Sequence, residues 1–339
     1  MPTLDTISAA ATLHSKNKTN RPQDALFCDM ELPFRETFYP LGYAVEIITN
    51  DLDVLKAACE SFGHRCLNHE STALCIRVGV IESPSSRCPP EPTRREYNHL
   101  YSLVADAYNQ ALLDLKTCTC FAWISTPAVK DRLYFRYNFL EKMVYLLLGA
   151  SVVTDIHAAC ISKYGKGVLL CGDSGAGKST LAYACARAGW IYTSDDTCYL
   201  INNAPGARVI GHSHRVRFRP AAKDLFPELA PYGITRRMEG KPSIEIPISV
   251  LPVFSTANEA DIYSVIYLNR LAAVSARLLP LPDGTATHRM KKELFSAGEI
   301  RTKHEKMLEA FTDVPVYELQ YTDLDDAIQQ LDAFITTIV

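Results

Sequence analysis

The sequence predicts a mixed α/β protein in two parts, and three observations carry that prediction. Short apolar runs with strand-like alternation are interleaved with amphipathic stretches long enough for helices. A glycine-rich octapeptide, "GDSGAGKS", stands between one such strand and one such helix. The 339 residues are 47% hydrophobic and 22% charged, an ordinary globular composition with ample material for a core.

Residues 1–25 are polar, lack sustained periodicity and end in a proline turn signal, so they read as a disordered tail. Residues 26–150 form a smaller α/β region of unassigned role. "GYAVEIITN" alternates like a strand, and Asp51 is placed to cap the helix "LDVLKAACESFG", closed by Gly63. "TALCIRVGVI" is a further strand and "SPSSRCPPEP" a proline-rich connection. "CTCFAWIST" and "DRLYFRYN" then read as neighbouring strands, and "FLEKMVYLLLGAS" as an apolar helix.

Residues 151–339 form the second part. "DIHAACIS" and "KGVLLCG", separated by "KYGKG", suggest a hairpin that feeds the glycine-rich loop. A helix over 178–188 follows, then "GWIYTS", then two adjacent aspartates. The "NAPG" turn inside "TCYLINNAPGARVIGHS" sends that strand back as an antiparallel neighbour. "DIYSVIYLNRL" and "PVYELQYT" read as strands, and "DLDDAIQQLDAFITTI" as a closing amphipathic helix capped by Asp323 or Asp325.

Charge and cysteine content narrow the classes of partner. A net charge of −3 gives no general attraction to nucleic acid or acidic membranes. Several of the eleven cysteines, among them Cys160, Cys171, Cys185 and Cys198, sit in apolar runs, where a free thiol behaves as a small hydrophobe. With no paired CxxC motifs and no signal peptide, reduced thiols and a cytoplasmic location are expected. The most apolar window, "FLEKMVYLLLGASVVTDI", carries charges throughout and reads as a buried helix rather than a membrane span.

The octapeptide satisfies G-x-x-x-x-G-K-[ST] in a strand–loop–helix setting. Gly172, Gly175 and Gly177 allow backbone angles that let successive N–H groups converge on phosphate oxygens. Asp173, Ser174 and Ala176 complete the loop, and the first helical turn, with Thr180, adds unpaired N–H groups at the positive dipole end. Lys178 brings a mobile charge to the β- and γ-phosphates, and Ser179 offers a hydroxyl to Mg²⁺. Asp195 and Asp196 end the next strand. At a strand end both carboxylates can converge, one holding the metal and the other accepting a proton from an attacking hydroxyl.

The run from His157 through "YGKGVLL", "GDSGAGKS" and "SDD" resembles the catalytic domain of bacterial HPr kinase/phosphorylase and its relatives, which share a P-loop fold with phosphoenolpyruvate carboxykinase. The resemblance implies a phosphoenolpyruvate-carboxykinase-like P-loop domain with a mixed sheet, in which the strand after the P-loop helix lies beside the phosphate strand. It implies ATP and Mg²⁺ as cofactors, Asp195 as the base, Asp196 with Ser179 as metal ligands, and His157 facing the site. It also makes a homo-oligomer an analogy to test. Ala158 stands where the family has glycine, the "EIRG"-type signature is absent, and no counterpart of the C-terminal loop used in dephosphorylation is present. These departures bear on HPr recognition and phosphorolysis, not on nucleotide binding.

In "HSHRVRFRP", alternation puts Arg215, Arg217 and Arg219 on one face, with Arg215 and Arg217 favoured as a phosphate or acceptor clamp. His212 and His214 share a face without a third metal ligand nearby in sequence, and Lys241 reads as a surface lysine. The expected function is ATP-dependent kinase activity toward a hydroxyl on a protein serine or a small molecule. The alternative is an ATP-binding sensor or assembly protein without transfer.

Overall fold

The computed structural model describes residues 30–236, 242–251, 255–271, 275–294 and 296–337. The tail expected over residues 1–25, and Lys241, lie outside the described residues. Among those described, no helix is long and apolar enough to cross a membrane. The chain divides into two compact units between Val144 and Tyr145, with Pro40–Tyr43 and Leu67–Ser71 belonging to the second.

In the first unit, β1 (Phe34–Phe38), β2 (Val45–Thr49), β3 (Leu74–Ile81), β4 (Thr93–Tyr97), β5 (Leu100–Asp106), β6 (Asn109–Asp114) and β7 (Thr119–Ser125) make a seven-stranded mixed sheet. Its order is β1-β2-β3-β7-β6-β5-β4, parallel only across β2, β3 and β7. Helix α1 (Leu52–Phe62) makes the crossover from β2 to β3 and buries Val54, Ala57, Ala58 and Phe62. Asp51 caps it as expected, accepting the Asp53 N–H at 2.8 Å. Gly63 closes it in a right-handed conformation, so closeness rather than chirality requires glycine: a Cβ there would lie 2.6 Å from the Cys59 carbonyl oxygen.

One expectation fails in this unit. "DRLYFRYN", read as a strand, is helical: α2 (Thr126–Lys130) and α3 (Arg132–Phe135) lead through a π-helical turn, Arg136–Leu140, into α4 (Glu141–Ser151). Two causes outweigh the apparent alternation. The Asp131 side chain accepts the Tyr134 N–H and starts a helix, and Phe135, Phe139 and Met143 recur at helical spacing with no exposed surface.

The second unit carries a nine-stranded mixed sheet of β8 (Val153–Ile156), β9 (Ala159–Lys163), β10 (Lys166–Cys171), β11 (Ile191–Ser194), β12 (Cys198–Ile201), β13 (Arg208–Gly211), β17 (Glu259–Arg270), β18 (Arg277–Pro280) and β19 (Val316–Tyr321). The main path runs β11-β9-β10-β17-β13-β12-β8, with β19 pairing β17 and β18. Between them lie α5 (Lys178–Arg187) and a separate three-stranded sheet of β14 (Arg215–Phe218), β16 (Pro242–Pro247) and β15 (Thr235–Arg236). Helices α6 (Thr285–Glu293), α7 (Gly298–Met307) and α8 (Leu324–Thr337) complete the unit. Asp323 caps α8, accepting the Asp325 and Asp326 N–H groups.

The run "VLLC" in β10 shows no polar alternation because both of its faces are covered. Val168 and Leu170 join a cluster with α5, α8 and the three-stranded sheet. Leu169 and Cys171 join another with α6 and Phe311. Cys160, Cys171, Cys185 and Cys198 are buried free thiols, as their apolar settings suggest.

The expected neighbour of the phosphate strand is also different. Strand β11 pairs with β9, not with β10, because β9 and β10 form an antiparallel hairpin that occupies that edge. Trp190 anchors the return from α5 into β11. It has no exposed surface, and its indole N–H donates to Asp332 of α8 at 2.8 Å. Trp190→Ala is expected to destabilise the unit by about 3–5 kcal/mol, read as a lower urea midpoint at unchanged m-value.

Candidate functional site

The glycine-rich loop joins β10 to α5 with Gly172, Gly175 and Gly177 at φ 143°, 94° and 98°, the angles the motif demands. Gly177 is also sterically fixed, since a Cβ would lie 2.8 Å from the Tyr321 hydroxyl. Asp173, Ser174 and Gly175 form the exposed crown of the loop. Lys178 is only 6% exposed, and its Nζ donates to the Gly172 and Asp173 carbonyls at 2.6 and 3.2 Å. The side chain therefore curls back onto the loop that precedes it, where a phosphate can replace the carbonyls as acceptor. Burial holds its pKa below the usual lysine range, against the charges of Asp196 and Glu293.

The two aspartates follow β11 but do not converge. Asp195 is buried. Its Oδ1 accepts the Tyr192 hydroxyl at 2.9 Å, its Oδ2 accepts the Arg217 N–H at 2.8 Å, and its backbone carbonyl accepts the Ser179 hydroxyl at 3.1 Å. Burial, and next the charge of Asp196, pushes its carboxyl up to about 6. Asp196 faces outward, with Oδ1 3.8 Å from Nδ1 of His157. The turn that ends β11 at Ser194 sends the first carboxylate inward and the second out.

His157 does not lie in a strand. "DIHAACIS" breaks into β8 and β9, the Ala158 N–H bonds back to the Ile156 carbonyl at 2.9 Å, and His157 projects from the break, 41% exposed. Burial of the remainder, and then the Lys178 charge, hold its imidazole below its ordinary pKa against the charges of Asp196 and Glu293, which favours the neutral form. Beside it is a cavity of about 80 Å³ lined by Asp155, Ile156, His157, Thr197, Met290 and Glu293. Glu293 had no sequence signal: it ends a helix of mixed charge, and only the fold brings it to the cavity that His157 also lines.

Arg215 and Arg217 are engaged elsewhere. They bind Glu245 of β16 at 3.2 and 2.6 Å, one carboxylate oxygen each. Arg219, on the same alternating face, instead places Nη2 3.4 Å from the Ser174 hydroxyl of the loop.

Among the described residues, no three or more His, Cys, Asp or Glu side chains cluster as a metal site. The donors near the loop nevertheless suit Mg²⁺, which is held through few protein oxygens plus water and phosphate. Ser179 gives its proton to the Asp195 carbonyl, leaving its oxygen lone pairs for a cation, and Asp196 presents a half-exposed carboxylate.

No family model and no curated protein matches this chain. Among solved structures it shows a distant similarity to the Hpr(Ser) kinase/phosphatase from Coxiella burnetii, at 14% identity and a TM-score of 0.29. The match covers 55% of this chain and 98% of that one. A likeness this distant fixes neither fold nor activity.

Proposed function

We propose that the second unit is a phosphoenolpyruvate-carboxykinase-like P-loop domain that binds Mg²⁺·ATP and transfers its γ-phosphate to a hydroxyl on a protein serine or a small molecule. The observation that carries this reading is the loop itself: three glycines at positive φ, the buried Lys178 folded back onto the Gly172 and Asp173 carbonyls, and the start of α5 directly after them. Gly172 to Thr180 hold the phosphates, Lys178 neutralises the β- and γ-oxygens, and Ser179 with Asp196 would hold the metal. Bound Mg²⁺ supplies charge neutralisation on the phosphate oxygens.

The acceptor enters from the side of the cavity beside His157. Its hydroxyl gives a proton to the neutral imidazole, its oxygen attacks the γ-phosphorus, and the bond to the β–γ bridging oxygen breaks to release ADP. Asp196 orients the imidazole and stabilises it once charged. Asp195, the base by resemblance, acts instead as a positioning residue, because both its carboxylate oxygens already accept internal hydrogen bonds.

That same engagement favours a second reading, nucleotide binding without transfer. Titration calorimetry with Mg²⁺·ATP and labelling of a cell lysate with γ-³²P-ATP separate the two. The kinase reading expects nucleotide uptake together with a labelled acceptor that disappears with His157→Ala. Uptake without any labelled acceptor establishes the second reading. Absence of uptake sinks both.

A further inference from the structure

Three arginines share one face of "RVRFRP", and the fold gives them different tasks. Arg215 and Arg217 are tied to Glu245 within the three-stranded sheet. Arg219 lies just beyond the end of β14, with its guanidinium at the crown of the glycine-rich loop. We propose that Arg219 is the residue that grips the terminal phosphate of a nucleoside triphosphate in that loop. This inference rests on the loop being a nucleotide phosphate site.

Placement supports it. Phe218, one residue earlier, is buried against Tyr183 of α5 with ring centroids 5.0 Å apart. Pro220, one residue later, holds the Arg219 backbone extended, at φ −70° and ψ 150°. The base of the side chain is thus set rigidly with respect to the helix that the loop begins. Its hydrogen bond to Ser174 uses one of five N–H donors, and the exposed guanidinium can turn the others toward an anion on the loop.

Lys178 rises from within the loop, whereas Arg219 reaches it from outside, at Ser174. The two cations would therefore hold the terminal phosphate from different directions. A planar guanidinium suits bidentate contact with phosphate oxygens and with the charge that spreads over them during transfer.

The test is calorimetric titration of the full chain with Mg²⁺ and either ADP or a nonhydrolysable ATP analogue, using wild type, Arg219→Ala and Arg219→Lys. Arg219→Ala is expected to weaken the triphosphate analogue about 10- to 100-fold while changing ADP by less than about threefold. Arg219→Lys, which keeps the charge without the fork, should fall between. Unchanged triphosphate affinity in Arg219→Ala, or equal losses for both nucleotides, overturns the assignment and leaves the phosphate site standing. Wild type that takes up neither nucleotide removes the phosphate site and this role with it. Thermal melting checks that the variants are folded, and if Arg219→Ala is not, the ADP-to-triphosphate comparison in Arg219→Lys decides.

Discussion

Lys178→Met is expected to reduce Mg²⁺·ATP affinity by about 10- to 100-fold, and phosphate transfer by about 10²- to 10³-fold, without destabilising the protein. The residue is 6% exposed, and its ammonium donates to two loop carbonyls that a phosphate would replace as acceptors. Burial disfavours its charged form, so methionine, with a similar length and no charge, removes a desolvation cost from the folded chain. Loss of binding with equal or higher stability is the signature of a side chain kept for its ligand. Calorimetry and urea unfolding on the same samples measure both halves. A variant that binds Mg²⁺·ATP as wild type does would remove the loop from the proposed reaction.

Asp195→Asn should separate the two aspartates and show a pH dependence of its own. The single Tyr192 proton faces two acceptors, Oδ1 of Asp195 at 2.9 Å and the Arg215 carbonyl at 3.0 Å. A neutral acid or an amide at position 195 donates to the Tyr192 oxygen, Tyr192 then donates to Arg215, and the remaining oxygen still accepts the Arg217 N–H. The folded carboxyl titrates near 6, above its ordinary 3.8. Below about pH 4 it is neutral in both folded and unfolded chains. Between about pH 4 and 6 the unfolded chain releases its proton first, so stability declines as pH rises.

The decline amounts to something on the order of 3 kcal/mol and is complete above about pH 6. Other carboxyls, such as Asp114 and Glu318, have lowered pKa values and act in the opposite sense, so the wild type alone does not report it. The difference between variant and wild type isolates the effect. Unfolding in urea with chelator present should find the two equal near pH 4 and Asp195→Asn more stable by that amount at pH 7–8. A difference that stays constant with pH would show that Asp195 is not held as a neutral acid. In activity, Asp195→Asn should keep transfer within about tenfold of wild type, whereas Asp196→Asn should lose about 10²-fold or more. Complete loss in a folded Asp195→Asn would restore the resemblance-based role of base.

The contrast between these aspartates also marks how far sequence reading could go. Asp195 and Asp196 are adjacent and chemically identical, and their position after "WIYT" places them at a strand end. Which one turns inward depends on Tyr192, and on strand β14, whose Arg217 N–H meets Asp195 from 22 residues away. The arginines present the same problem. Their alternation was legible, but the pairing that retires Arg215 and Arg217 comes from Glu245 on β16, at separations of 30 and 28 residues. In "DRLYFRYN", local alternation misled because burial at helical spacing continued into the following apolar run.

By itself the sequence determined the mixed α/β class, the strand–loop–helix around Gly172 to Ser179, the β9–β10 hairpin and the caps at Asp51 and Asp323. These are short-range consequences of side-chain size, backbone freedom and hydrogen bonding, complete within a few neighbouring residues. Only the tertiary structure decided that β9 separates β11 from β10, that Asp195 is buried while Asp196 meets His157, that Glu293 joins them, and that Arg219 rather than its neighbours reaches the loop. Each of those depends on which distant strand or helix supplies a partner. A buried polar group is held by that partner, and its own sequence neighbourhood does not name it.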